Sequence, residues 1–248
     1  MENLGGDVVV LAGATGRVGG ETLRVLSARG AYVVLISRSK SRGEALLGNL
    51  DPDAHARVRI VEADLSDADS GTRLAKTALG WHGRVDGVIS LAGGGSAFTS
   101  IVESTYDDME TSVRNNLLVA YNLFVPLLRH VLKQPMAQGA RSRGRLVAVT
   151  AGSSLTPQPR FGIMGAGKAG VNVLMRAIAR EHKADGIVSN AVILGTVGTE
   201  ASREYLNEAD FAAAATPAEV ADILAFHASD ASSGVNGELI HLNAREVD

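Results

Sequence analysis

Val8-Val9-Val10-Leu11 is a short continuous apolar run, and similar, mainly apolar runs recur at 33–36, 58–61, 85–91, 146–149, 188–194 and 239–242. A run with no polar alternation marks a strand covered on both faces, the condition of a parallel sheet between two helical layers. Between the runs, apolar residues return at helical spacing, which predicts helices over 18–27, 71–79, 107–132, 165–182 and 218–227. Thr216-Pro217 supplies an N-cap and a first-turn proline for the last of them. Alternation from end to end, with no linker-like break and no internal repeat, predicts one α/β domain over 1–248. Its expected form is a doubly wound, Rossmann-type parallel sheet of about seven strands in three α/β/α layers. Two stretches read as connections. Residues 133–144 are polar and small, and 195–215 is long enough to be a lid over a substrate.

Composition narrows the functions available. Apolar residues make up 46% and charged residues 21%, as in ordinary globular proteins. A net charge of -3 gives no electrostatic reason to expect nucleic acid or an anionic membrane as partner. Without a cysteine there is no disulfide, thiolate nucleophile or cysteine-metal site. Histidines and carboxylates show no metal-ligand spacing, so no metal is expected. No apolar run is long enough to span a bilayer, and Met1-Glu2-Asn3 lacks the basic start of a signal peptide. A cytoplasmic protein acting on a small molecule is the expectation.

Gly13-Ala14-Thr15-Gly16-Arg17-Val18-Gly19 follows the first run and opens the first helix. A dinucleotide pyrophosphate needs glycines there, because a Cβ blocks its approach to the backbone, and the helix start offers free N–H groups. NAD-binding chains place an acidic residue at the end of the second strand, for the ribose 2′-hydroxyl. Here that position is Ser37, followed by Arg38. Serine and arginine suit a 2′-phosphate that a carboxylate would repel, so NADP(H) is the expected cofactor. Arg17 is a candidate second positive charge for that phosphate.

These features combine with Asp64-Leu65, Ala92-Gly93, Asn116, Lys168 and Gly195-Thr196-Val197-Gly198-Thr199 in an order and spacing that resembles the short-chain dehydrogenase/reductases over nearly the whole chain. The resemblance implies that Asp64 holds the adenine amino group with Leu65 packed near it, and that Val197 and Thr199 hold the nicotinamide amide. It also implies a homodimer or homotetramer paired through the fourth and fifth helices. The glycine loop looks more like that of the family's extended or atypical branches.

The catalytic centre departs from the family. Its members carry Tyr-x-x-x-Lys, with the tyrosine moving the proton. Here Met164 stands four residues before Lys168, and the family serine falls at Ala151. Thr150, Ser153 and Ser154 are close replacement hydroxyls, and Ser153 is the one assigned. The run Phe161 to Lys168 is similar to that of enoyl-acyl-carrier-protein reductases with the phenol oxygen lost, and to dienoyl-CoA reductases in its small residues. Phe161, Met164 and Tyr205 are the expected pocket residues, and Lys168, Asn116 and Ser153 the expected catalytic ones. The first reading is an NADP(H)-dependent oxidoreductase reducing an activated C=C or C=O bond. The alternatives are a cyclase, isomerase or dehydratase on this scaffold, and a non-catalytic cofactor-binding sensor or partner subunit.

Overall fold

The computed structural model describes residues 3–95, 97–204 and 206–242. Seven strands form one sheet: β1 (Val8–Ala12), β2 (Tyr32–Ser37), β3 (Val58–Glu62), β4 (Gly87–Ser90), β5 (Gly144–Ala151), β6 (Ile187–Leu194) and β7 (Leu239–Leu242). Their order is β3-β2-β1-β4-β5-β6-β7, and every pairing is parallel. The order reverses between β1 and β4, which opens a crevice above their carboxyl ends, the usual ligand position in such sheets.

The helices are α1 (Arg17–Ala28), α2 (Lys40–Leu47), α3 (Pro52–His55), α4 (Ser70–His82), α5 (Tyr106–Ser112), α6 (Val119–Val131), α7 (Gly162–Glu181), α8 (Glu208–Ala213) and α9 (Pro217–Ala228). Two apolar cores flank the sheet. Val8, Val10 and Ala12 join Leu74, Phe124, Leu127 and Met175 on one face. Val9 and Leu11 join Leu23, Leu26, Val220 and Leu224 on the other. Adjacent strand residues therefore enter different cores, which is why the runs carry no polar alternation.

Three features differ from the pattern-based expectation. First, α2, α3 and α8 are additional; each is short, and α2 has only Gly43 buried. Second, the helix expected over 107–132 is interrupted by a stretch of π-helix, Val113–Leu118, between α5 and α6. Third, 195–215 is built rather than loose. Gly198 N–H donates to the Ala215 carbonyl at 2.8 Å and Ala215 N–H to that of Thr196 at 3.3 Å. Between those ties lie a 3-10 turn at Ser202–Glu204 and α8, with Arg203 seated 4.0 Å from the Phe211 ring centre. Tyr205 lies outside the described residues. No helix among the described residues is long and apolar enough to cross a membrane.

Candidate active site

The glycine loop is shaped by what surrounds it. Gly13 has φ +86°, and a Cβ there would sit 2.6 Å from the Ala92 nitrogen and the Leu91 carbonyl carbon. A Cβ on Gly19 would run into the Gly13 carbonyl. The loop therefore packs backbone against backbone and brings the start of α1 to the crevice. Gly16 is the N-cap, with no side-chain cap, and the first turn of α1 holds no acidic residue. The N–H groups of Arg17, Val18 and Gly19 have no acceptor among the described residues. Such a terminus suits an anion.

The crevice is an open cleft of about 380 Å³ running from this loop past Ser37, Arg38, Asp64 and Leu65 to Ala92, Gly93 and Asn115. Backbone of the glycine loop and of Gly93–Gly95 lines it. At one end, Ser37 Oγ donates to the Ser39 carbonyl at 2.7 Å, while Arg38 is exposed and forms no ion pair among the described residues. Asp64 accepts from Ser66 N–H and hydroxyl at 2.9 and 2.8 Å. Those bonds, helped by Arg38, hold its carboxyl below the usual range. Leu65 is buried in the core beneath. Arg17 does not turn toward this end. Its Nη1 donates to Thr199 Oγ1 at 3.1 Å, across the cleft in the connection after β6, because it leaves α1 at the first helical position facing that connection. The same connection carries Val197, bridged to Ala215.

At the other end, α7 and the π-turn deliver Lys168 and Asn116 to one glycine. A Cβ on Gly93, whose φ is +148°, would lie 2.6 Å from Lys168 Nζ and 2.9 Å from Asn116 Oδ1. Lys168 Nζ donates to the Val149 carbonyl at 3.1 Å, and burial pushes its pKa down to about 8. Asn116 accepts from Gly94 N–H at 3.0 Å and donates to the Ser112 carbonyl at 2.9 Å. Ser90 Oγ, Thr150 Oγ1, Ser153 Oγ and Asn172 Oδ1 are buried without a hydrogen-bond partner. Buried polar atoms of this kind call for water or ligand. Ser154 is occupied by Asn172, which donates to it at 2.8 Å. Met164 and Ala151 are half-buried, the first in the opening turn of α7 and the second at the end of β5.

Phe161 packs its ring edge on Phe98, centroids 5.1 Å apart. Ile101 lies over Gly162, where a Cβ would meet its Cδ1 at 2.8 Å. Arg160, at φ +70° the one non-glycine residue with positive φ among the described residues, donates Nε to the Phe98 carbonyl at 3.1 Å. The β4–α5 connection thus packs against the start of α7, a contact the sequence alone does not reveal. Asn172 was equally silent, although it lies one helical turn beyond Lys168 on the same face. Among the described residues no group of histidines and carboxylates could hold a metal ion.

Comparison with known proteins places this geometry. A family model described as enoyl-(acyl carrier protein) reductase matches residues 13–244. A short-chain type dehydrogenase/reductase of Picea abies is 26% identical over 98% of this chain and 93% of its own. The chain belongs to the short-chain dehydrogenase/reductase family. A meso-2,3-butanediol dehydrogenase of Serratia marcescens is 30% identical, covering 93% of this short-chain dehydrogenase/reductase and 90% of the relative. Among solved structures, a short-chain type dehydrogenase/reductase from Mycobacterium ulcerans superposes with a TM-score of 0.87 at 23% identity, over 99% of this chain and 93% of that one. ElxO with NADP bound gives 0.84 at 20% identity, over 96% and 97%. Both structures share the fold.

Proposed function

We propose that this short-chain dehydrogenase/reductase binds NADP(H) along the cleft and exchanges a hydride with a small apolar substrate at an activated C=C or C=O bond, with a proton supply that does not use the family tyrosine. The observation carrying the reading is the convergence of Lys168 Nζ and Asn116 Oδ1 on Gly93, whose missing side chain lets a buried amine and an amide reach the backbone that lines the cleft. Ser37 and Arg38, with no carboxylate at the strand end, support the 2′-phosphate, and the NADP-bound ElxO shares the fold. When bound, the dinucleotide supplies or takes the hydride. Lys168 holds the ribose and presents a positive charge to the oxygen that becomes anionic, the electrostatic part of the catalysis. The enolate or alkoxide takes its proton from water or from a hydroxyl, with Ser153 the nearest assigned candidate. Val197 and Thr199 face the nicotinamide amide, Asp64 the adenine, and Phe161, Met164 and Phe98 the apolar part of the substrate.

A second reading, tight cofactor binding without turnover, is favoured by the phenols. Tyr32 packs against Trp81 and His82 at the start of β2, Tyr106 is exposed at the start of α5, and Tyr121 is half exposed on α6. A titration with NADPH and NADH, followed by NADPH absorbance with a panel of enones and ketones, separates the readings. NADPH oxidation with an enone is expected; saturable binding with no turnover selects the second reading, and product without cofactor turnover a non-redox enzyme. Arg38→Ala should lower NADPH affinity about tenfold and leave NADH unchanged. Leu118, Tyr121 and Val173 leave large apolar groups exposed along α6 and α7 and the turn before them. We assign them to pairing between two copies, and a monomer in light scattering at micromolar concentration would overturn that.

A further inference from the structure

The cleft has a charge deficit at its centre. Arg38 is the one cation among its lining residues, and it sits at the adenine end. Lys168 serves the opposite end. Between them a dinucleotide carries its pyrophosphate, which the open start of α1 meets only with backbone N–H groups. Arg17 occupies the first position of that helix, is exposed, and forms no ion pair among the described residues. Its guanidinium is nonetheless not loose, because Nη1 donates to Thr199 Oγ1 at 3.1 Å. Thr199 is itself fixed: its N–H donates to Ser202 Oγ at 2.8 Å, and Ser202 Oγ donates back to the Thr199 carbonyl at 2.8 Å. Ser202 is buried, so the acceptor stands on a firm base. One bond therefore links the glycine loop to the connection after β6, residues 182 apart in sequence, and leaves the remaining guanidinium donors free.

We propose that Arg17 is a ligand of the cofactor pyrophosphate, aimed by Thr199, and does not read the 2′-phosphate. This rests on the dinucleotide reading above and adds to it a specific division of labour: Arg38 chooses between cofactors, whereas Arg17 serves both. The guanidinium fork is suited to two phosphate oxygens, and its anchored position lowers the cost of ordering it. A clasp of this kind also couples cofactor occupancy to the position of the connection that carries Val197 and Thr199.

The test measures the affinity of the purified full chain for NADPH, NADH and adenosine 2′-monophosphate, which keeps the 2′-phosphate and has neither phosphate of the pyrophosphate. Arg17→Ala should weaken NADPH and NADH by the same factor, about tenfold to a hundredfold, and leave the monophosphate unchanged. Arg38→Ala should weaken NADPH and the monophosphate and spare NADH. Thr199→Val, which keeps the charge and removes its anchor, should cost both dinucleotides equally and less than Arg17→Ala. A loss confined to NADPH and the monophosphate in Arg17→Ala, or no loss at all, overturns the assignment while the cofactor reading stands. If the parent protein binds none of the three, the cofactor reading itself falls and takes this one with it.

Discussion

The two ends of the cleft are built by opposite means. At the glycine loop, the determinants are absences of side chains, and backbone atoms of Leu91 and Ala92 press directly on Gly13. At Lys168, the determinants are long side chains brought from α7 and the π-turn, with four buried polar atoms left unpaired around them. A site made of backbone tolerates almost no variation. A site made of side chains keeps its frame while individual groups are exchanged. Read as the counterparts of the family's tyrosine and serine, as the motif spacing suggests, Met164 and Ala151 are exchanges of the second kind.

The contrast can be broken most forcefully at the loop. Gly13→Ala adds a Cβ where two backbone atoms already stand at 2.6 Å, and does so at φ +86°. Overpacking and a strained φ together should cost about 4 kcal/mol, read as a fall in the urea midpoint. A loss below about 1 kcal/mol would show that the loop is not held as described. At the other end, Ala151→Ser/Met164→Tyr puts a hydroxyl at the end of β5 and a phenol one helical turn before Lys168. Ketone reduction should rise by roughly a hundredfold, the lower range for a positioned general acid. Normal family rates in the unmodified protein would instead mean that another residue already supplies the proton.

Lys168 sharpens the comparison further. Its pKa is lowered from 10.5 to about 8, because burial disfavours the charged amine. Below pH 8 the folded state therefore bears a charge it would rather not hold. Between about 8 and 10.5 the unfolded chain binds more protons than the folded one, so the Lys168 contribution makes stability rise with pH across that window. Lys168→Met should remove this rise and add about 2 kcal/mol at pH 7, the bond to Val149 offsetting part of the desolvation. It should also weaken NADPH binding. Parallel stability curves for parent and variant from pH 7 to 10, by denaturant titration, would contradict the desolvated-amine account.

The strands were legible because burial on both faces writes itself into consecutive residues. The glycine loop was legible because backbone crowding excludes every other residue type. The π-turn was not, since one extra residue in a helical turn leaves the apolar rhythm of 107–132 nearly intact. The direction in which Arg17 leaves its helix, toward Thr199, was not legible, because sequence places it beside the loop without orienting it. Phe98, Ile101 and Arg160 carried no motif; they become visible only when the β4–α5 connection folds against the start of α7, some sixty positions along the chain. Small residues Gly165 and Gly167 belong with them, since a side chain would collide with Ser153 or Ser112.

The ties at Thr196, Gly198 and Ala215 turn the intervening stretch into a flap on two pins. Swinging such a flap needs torsion only beside the pins, while α8 and the Arg203–Phe211 contact travel as one piece. Extra residues placed between the pins lengthen the flap without shifting its axis, because the entropic cost of a longer closed loop grows only with the logarithm of its length. The stretch between the pins is thus where this chain can be lengthened at least cost, while the sheet stays where the pairing of β1, β4 and β5 puts it.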